Sequence, residues 1–116
     1  MTTASLDSCV VPQGLQLDYV QRKVRIDGIL AQKPLSVKEF KLLEFLAMHA
    51  GKVCSREETS EAVYDEVYVP SRDTARLDAL IERTRQHIGD DQRNPRFLET
   101  VRGVGHRLNN YDPGEA

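Results

Sequence analysis

The sequence predicts an α+β domain: an N-terminal antiparallel sheet, then three helices, then a closing β-hairpin. Three observations predict it. Apolar and polar residues alternate with period two between Gly14 and Leu35. Two Ser-x-x-Glu boxes, Ser36-Val37-Lys38-Glu39 and Ser55-Arg56-Glu57-Glu58, each stand at the head of a helical stretch. A last period-two stretch runs through Phe97 and folds back around a glycine-rich tip, Arg102-Gly103-Val104-Gly105.

Taken in order, Met1 to Gln13 are polar and aperiodic and are expected to form a flexible lead. Leu15, Leu17 and Tyr19 then alternate with polar residues, Val24 and Ile26 do the same, and Asp27-Gly28 between apolar residues is a tight-turn signal. Ser36 and Glu39 satisfy free amides at a helix start, so a helix is expected to about His49, stopped by Gly51, with Phe40, Leu43 and Ala47 on its buried stripe, widened by Leu42, Phe45 and Leu46. A short second helix follows Ser55 through Tyr64, with a thin stripe of Ala62, Val63 and Val67. Pro70 and Ser71 place Asp65 to Asp73 in a loop. The third helix is expected from about Thr74 to Ile88, closed by Gly89. Leu77, Leu80, Ile81, Thr84 and Ile88 share its inward face, whereas Ala79, Glu82, Arg83 and Gln86 project outward with Arg76 and Arg85 on the flanks. Phe97 to Val101 and His106 to Leu108 read as the strands of the terminal hairpin, and Asn109 to Ala116 as a linker or frayed end.

At 116 residues with 40% hydrophobic content, the chain has the size and core of one domain, residues 14–108. No apolar run is long enough to span a bilayer, and a soluble, cytoplasmic protein is expected. Cys9 and Cys54 form no CxxC pair, so neither metal nor cofactor is expected, and Cys54 reads as a small core residue. The formal net charge of -2 is unlike that of a strong nonspecific DNA binder, but the distribution differs from the sum. Glu57, Glu58, Glu61, Asp65 and Glu66 gather the acid, while from Arg72 onward every basic side chain is Arg, which grips phosphate or guanine with two parallel hydrogen bonds. An exposed helix with Ala79 beside Arg and Gln permits close approach to base edges.

Sheet, three helices and hairpin in this order make a winged helix-turn-helix. Leu35-Ser36-Val37-Lys38-Glu39-Phe40 with Leu42-Leu43, then Ser55-Arg56-Glu57-Glu58, then Thr100-Val101-Arg102-Gly103-Val104-Gly105-His106-Arg107-Leu108 closely resembles the OmpR/PhoB-type DNA-binding domain, the output domain of many two-component response regulators. The terminal string is the most specific part. The resemblance implies that the third helix (about 74–88) enters the major groove of double-stranded DNA and that the wing (about 97–108) lies at the minor groove. It implies Arg102 as the wing arginine, Thr100 as a phosphate contact, Arg83 and Arg85 as basic positions of the recognition helix, and Tyr64 where the family often has Trp near the backbone. It also implies that the loop Asp65 to Asp73 matches a segment that touches RNA polymerase in some members.

Several positions depart from the family pattern. Glu82 and Ala75 stand where Arg is usual, Leu80 where His is frequent, Thr59 and Ser60 where a Leu pair is usual, and His106 where Tyr is. Fewer cations on the DNA face imply weaker, less salt-dependent binding, and Glu82 is suited to accept from cytosine N4. The main expectation is therefore a DNA-binding transcriptional regulator domain, monomeric in isolation. The alternative is a winged-helix protein-interaction module with weakened or lost DNA binding. Enzymatic chemistry is not expected: His49, His87 and His106 lie in unrelated elements, Asp90-Asp91 reads as a solvated turn, and Gly103 and Gly105 do not open a helix as a phosphate loop would.

Overall fold

The computed structural model describes residues 13–31 and 33–113. Most of the expected N-terminal lead, residues 1–12 with Cys9, lies outside the described residues, as do residues 114–116. Strands β1 (Leu15–Asp18), β2 (Lys23–Ile26) and β3 (Ile29–Leu30) form an antiparallel sheet in that order. Asp27 and Gly28 join β2 to β3 with φ values of 54° and 83°, the positive signs that a two-residue hairpin turn needs to match strand twist. Helices α1 (Val37–Met48), α2 (Arg56–Tyr64) and α3 (Pro70–Ile88) follow, with the short β4 (Cys54–Ser55) between the first two. The wing strands are β5 (Leu98–Val101) and β6 (Gly105–Leu108), and the second sheet has the order β4-β6-β5.

Both capping boxes form. Ser36 Oγ accepts from Glu39 N at 3.1 Å and Glu39 Oε1 from Ser36 N at 2.7 Å, and Ser55 and Glu58 exchange the same pair at 3.0 Å each. Glu39 is also buried against α3, where its Oε1 lies 3.0 Å from His87 Nδ1, so one carboxylate ties the start of α1 to the end of the third helix. Gly89 closes α3 in the left-handed conformation, as expected.

Three expectations are corrected. Helix α3 begins at Pro70, not near Thr74, so only residues 65–69 remain loop. Proline is well suited to a first helical position, where its missing N–H has no helical partner to lose; Val69 offers no capping side chain, and instead Asp73 Oδ2 reaches back to accept from Val69 N at 2.8 Å. In α2 the buried stripe is Thr59, Ser60 and Val63, whereas Ala62 and Val67 are exposed. Thr59 Oγ1 donates to Ser55 O at 2.8 Å, which satisfies a hydroxyl at a site where the family resemblance favours an apolar side chain. The segment after Leu108, expected to fray, is fastened to β1: Leu15 N donates to Asn110 O and Asp112 N to Leu15 O, both at 2.8 Å, and Asn110 Nδ2 reaches Arg96 O.

The core joins the two sheets to the helices through Leu15, Val24, Leu42, Leu43, Leu46, Val63, Leu77, Leu80, Ile81, Phe97, Leu98 and Leu108, all buried. Cys54 is buried with them, and burial pushes its thiol pKa up, as suits a packing residue. At Gly105 a Cβ would lie 1.9 Å from Cys54 O, so only glycine lets β6 pair this closely with β4 and seat the wing on the helices. Among the described residues no helix is long and apolar enough to cross a membrane.

Candidate nucleic-acid interface

Helix α3 positions most of the predicted site. Leu77, Leu80, Ile81, Thr84 and Ile88 are buried beneath it, which turns Ala79, Arg83 and Gln86 outward to exposed positions and leaves Glu82 half-buried beside them. Arg83 has no hydrogen bond or ion pair with another described residue, so its guanidinium is open to a ligand. At the wing, Val101 pairs with Gly105 across a turn closed by Val104 N to Val101 O at 2.9 Å, and Arg102 projects exposed from the tip, likewise without an ion pair. Thr100 is exposed on β5 one pair below that turn.

The other predicted cations are engaged within the protein. Arg76 lies over Tyr64, its guanidinium carbon 3.6 Å from the ring centroid, and its Nη2 reaches Asp73 Oδ1 at 2.6 Å and Glu66 Oε1 at 3.2 Å. Tyr64 is half-buried, its hydroxyl donates to Arg76 O at 3.4 Å, and burial raises its phenol pKa. Arg72 binds the same Asp73 at 2.8 Å. The hydrogen bond from Arg72 holds the Asp73 carboxyl well below the usual carboxylate range, with the Val69 amide adding to it. Arg56, at the start of α2, pairs with Asp78 of α3 at 3.1 Å.

Arg85 departs from its expected place on the flank of the outward face. It is 5% exposed, and its Nε and Nη2 donate to Leu98 O at 3.2 and 3.0 Å, with Nη2 also donating to Thr100 Oγ1 at 2.8 Å. A helical projection treats α3 as if it stood alone, whereas β5 covers this flank. His106, beneath the wing, is 2% exposed. Burial lowers its imidazole pKa to about 4, the Arg56 and Arg85 cations push the same way and Asp78 opposes them, so it is neutral at physiological pH.

Sequence reasoning missed Asp73 and Asp90, both placed in or beside loops. Asp90 accepts the amides of Arg96, Phe97 and Leu98 and so anchors the entry into β5. An Asp four residues after a β-branched residue and three after Pro70 was the available signal for the α3 cap.

Comparison with known proteins agrees with this geometry. A family described as "Transcriptional regulatory protein, C terminal" matches residues 31–108. The sensory transduction protein RegX3 of Mycolicibacterium smegmatis is 37% identical over 106 residues, covering 90% of this chain and 45% of that protein. The transcriptional regulatory protein CusR of Escherichia coli K12 is 38% identical over 94 residues, covering 81% of this chain and 39% of that protein. The chain thus spans less than half the length of these curated relatives. Among solved structures, the Klebsiella pneumoniae RstA DNA-binding domain in complex with the RstA box superposes with a TM-score of 0.73 at 28% identity, over 86% of this chain and 95% of that one.

Proposed function

The chain belongs to the family of C-terminal domains of transcriptional regulatory proteins, the OmpR/PhoB-type winged helices, and from that premise we propose that it binds double-stranded DNA to regulate transcription. In this reading α3 enters the major groove and the wing lies at the minor groove, and the superposition on an RstA DNA-binding domain solved in complex with the RstA box supports DNA as the partner. The observation that carries the reading is that Arg83 on α3 and Arg102 on the wing tip are both exposed and without ion pairs among the described residues, on two elements that Arg85 joins. Ala79, Glu82 and Gln86 form the part of α3 that meets base edges, and Thr100 contacts phosphate. Arg76 and Tyr64 border that face, already engaged with each other. The role is recognition, without chemistry on the DNA.

The acidic end of the domain serves a protein partner in the same reading. Glu57, Glu58, Asp65 and Glu66 are exposed, and Val67, 78% exposed, stands between Glu66 and Tyr68. This supports a contact to RNA polymerase through the segment from Asp65 to Asp73, on the side of Arg76 away from Arg83. The domain works in the cytoplasm and is monomeric in isolation. A band-shift titration of the wild-type domain at low salt, repeated with Arg83→Ala and Arg102→Ala, tests the DNA-binding reading. Weak binding that falls with each substitution and with added salt is expected. Equal shifts for all three proteins would discard it and leave the protein-interaction reading.

A further inference from the structure

A buried guanidinium without a carboxylate in hydrogen-bonding distance calls for an explanation. The nearest acid to Arg85, Glu82 Oε1, stands 3.8 Å from Nη1, and the groups that receive its protons are the Leu98 carbonyl and the Thr100 hydroxyl. A buried charge compensated mainly by neutral acceptors keeps much of its field. Here the outlet of that field is Thr100, which is exposed.

A threonine hydroxyl has one proton to give and two lone pairs to receive with. With a lone pair of Thr100 Oγ1 taken by Arg85 Nη2 at 2.8 Å, the hydroxyl proton must point away from Arg85, and at an exposed position that direction is solvent. The cationic donor polarises the O–H and strengthens it as a donor to an anion. The two bonds to Leu98 O meanwhile pin β5 to α3 at the residue where the strand begins. We propose that Arg85 is a positioning residue: it locks the first wing strand on to α3 and turns the Thr100 hydroxyl outward as a donor to a duplex phosphate. The donor half rests on the DNA-binding reading above, whereas the lock does not. It differs from a direct contact, in which Arg85 would itself lie exposed to the phosphate.

The test is a double-mutant cycle read by band shift on a short mixed-sequence duplex, since a phosphate contact does not depend on base identity. Thr100→Val is expected to weaken binding about tenfold, the scale of one hydrogen bond to a charged group, and Arg85→Met at least as much. Thr100→Val made on top of Arg85→Met should cost nothing further, while Arg83→Ala should cost its full factor in both backgrounds. Amide hydrogen exchange without DNA reads the lock: β5 from Leu98 to Val101 should exchange roughly tenfold faster in Arg85→Met, with α1 unchanged. Arg85→Lys keeps the charge but cannot hold both acceptors, so it should fall between wild type and Arg85→Met and carries the test if the latter does not fold. Multiplying losses for Thr100→Val and Arg85→Met overturn the donor role. Unchanged β5 exchange in a folded Arg85 variant overturns the lock. Absence of any wild-type shift overturns the DNA-binding reading and the donor role with it, and the exchange result then decides the lock alone.

Discussion

Arg76 and Arg83 stand seven residues apart on one helix and so nearly in line along it, yet the structure treats them oppositely. Arg76 is stacked on Tyr64 and held by Asp73 and Glu66, whereas Arg83 has no hydrogen bond or ion pair among the described residues. What separates them is Asp73 in the first turn of α3 and Glu66 in the loop before it, which reach Arg76 at one end of α3 and not Arg83 at the other. A count of arginines therefore overstates what a ligand sees, and the net charge of -2 understates it. Of the candidate-site arginines, the two without an ion pair among the described residues are Arg83 in the C-terminal half of α3 and Arg102 on the wing.

The largest expected effect concerns the buried imidazole that lies beside two of the engaged cations. His106 lies beside Arg56 and Arg85 and is held neutral, with its pKa lowered from 6.5 to about 4, first by burial and then by those cations. Because the folded value is below the unfolded one, the unfolded chain binds the extra proton first. The contribution is complete above pH 6.5 and is lost as pH falls toward 4, on the order of 3 kcal/mol in all. Thermal melts across that window should show falling stability in wild type and a flatter profile in His106→Gln. An equally steep profile in the variant would show that the loss of stability is not carried by protonation of the buried His106.

Next in size are the free arginines. Arg83→Ala and Arg102→Ala should each cost about 1 to 3 kcal/mol of duplex affinity if they reach bases, and less, with a shallower salt dependence, if they reach only phosphate. Neither should change the melting temperature much, since neither side chain has a hydrogen bond or ion pair to lose among the described residues. Arg76→Ala should do the reverse: a stability loss of about 1 kcal/mol from the broken stack and ion pairs, with affinity almost unaffected. A large affinity loss in Arg76→Ala, measured on a protein that still melts normally, would erase the distinction between the two arginines.

Much of this was legible before the structure. Ser36 with Glu39 and Ser55 with Glu58 announced their helices because a capping box is local chemistry, complete within four residues. The inward face of α3 followed from periodicity, and the turn at Asp27-Gly28 from backbone preference. What stayed hidden depends on contacts distant in sequence. Pro70 and Ser71 are the exception: the contact of Asp73 with Val69 N spans only four residues, but Pro followed by Ser is equally a loop signature and masked it. Arg85 looked like a surface cation because the strand that covers it lies 13 residues away. β4 is two residues long, too short for alternation to register, and Asn110 is held by Leu15, almost the full domain away. The candidate site was thus readable as a set of residues on α3 and the wing, but not as a division between engaged and available ones.

The smallest expected effect concerns the one acid on the outward face. Glu82 is 43% exposed and 3.8 Å from an Arg85 whose hydrogen bonds go elsewhere, so its charge is only partly offset. Facing a phosphate backbone, an uncompensated carboxylate repels, and at a solvent-screened distance the penalty is well under 1 kcal/mol. Glu82→Gln should therefore raise affinity for a mixed-sequence duplex about twofold to threefold at low salt, an effect that fades as salt is added. A carboxylate that accepts from cytosine N4 behaves differently: in a selection from a random duplex pool, wild type would enrich cytosine at one position and Glu82→Gln would lose that enrichment. Uniform gain across all sequences marks Glu82 as simple repulsion, an extension of the acidic end of the domain into the interface. Gain on most sequences with loss on a cytosine-bearing subset marks it as a reader, and then the free half of α3 discriminates by a carboxylate as well as by Arg83.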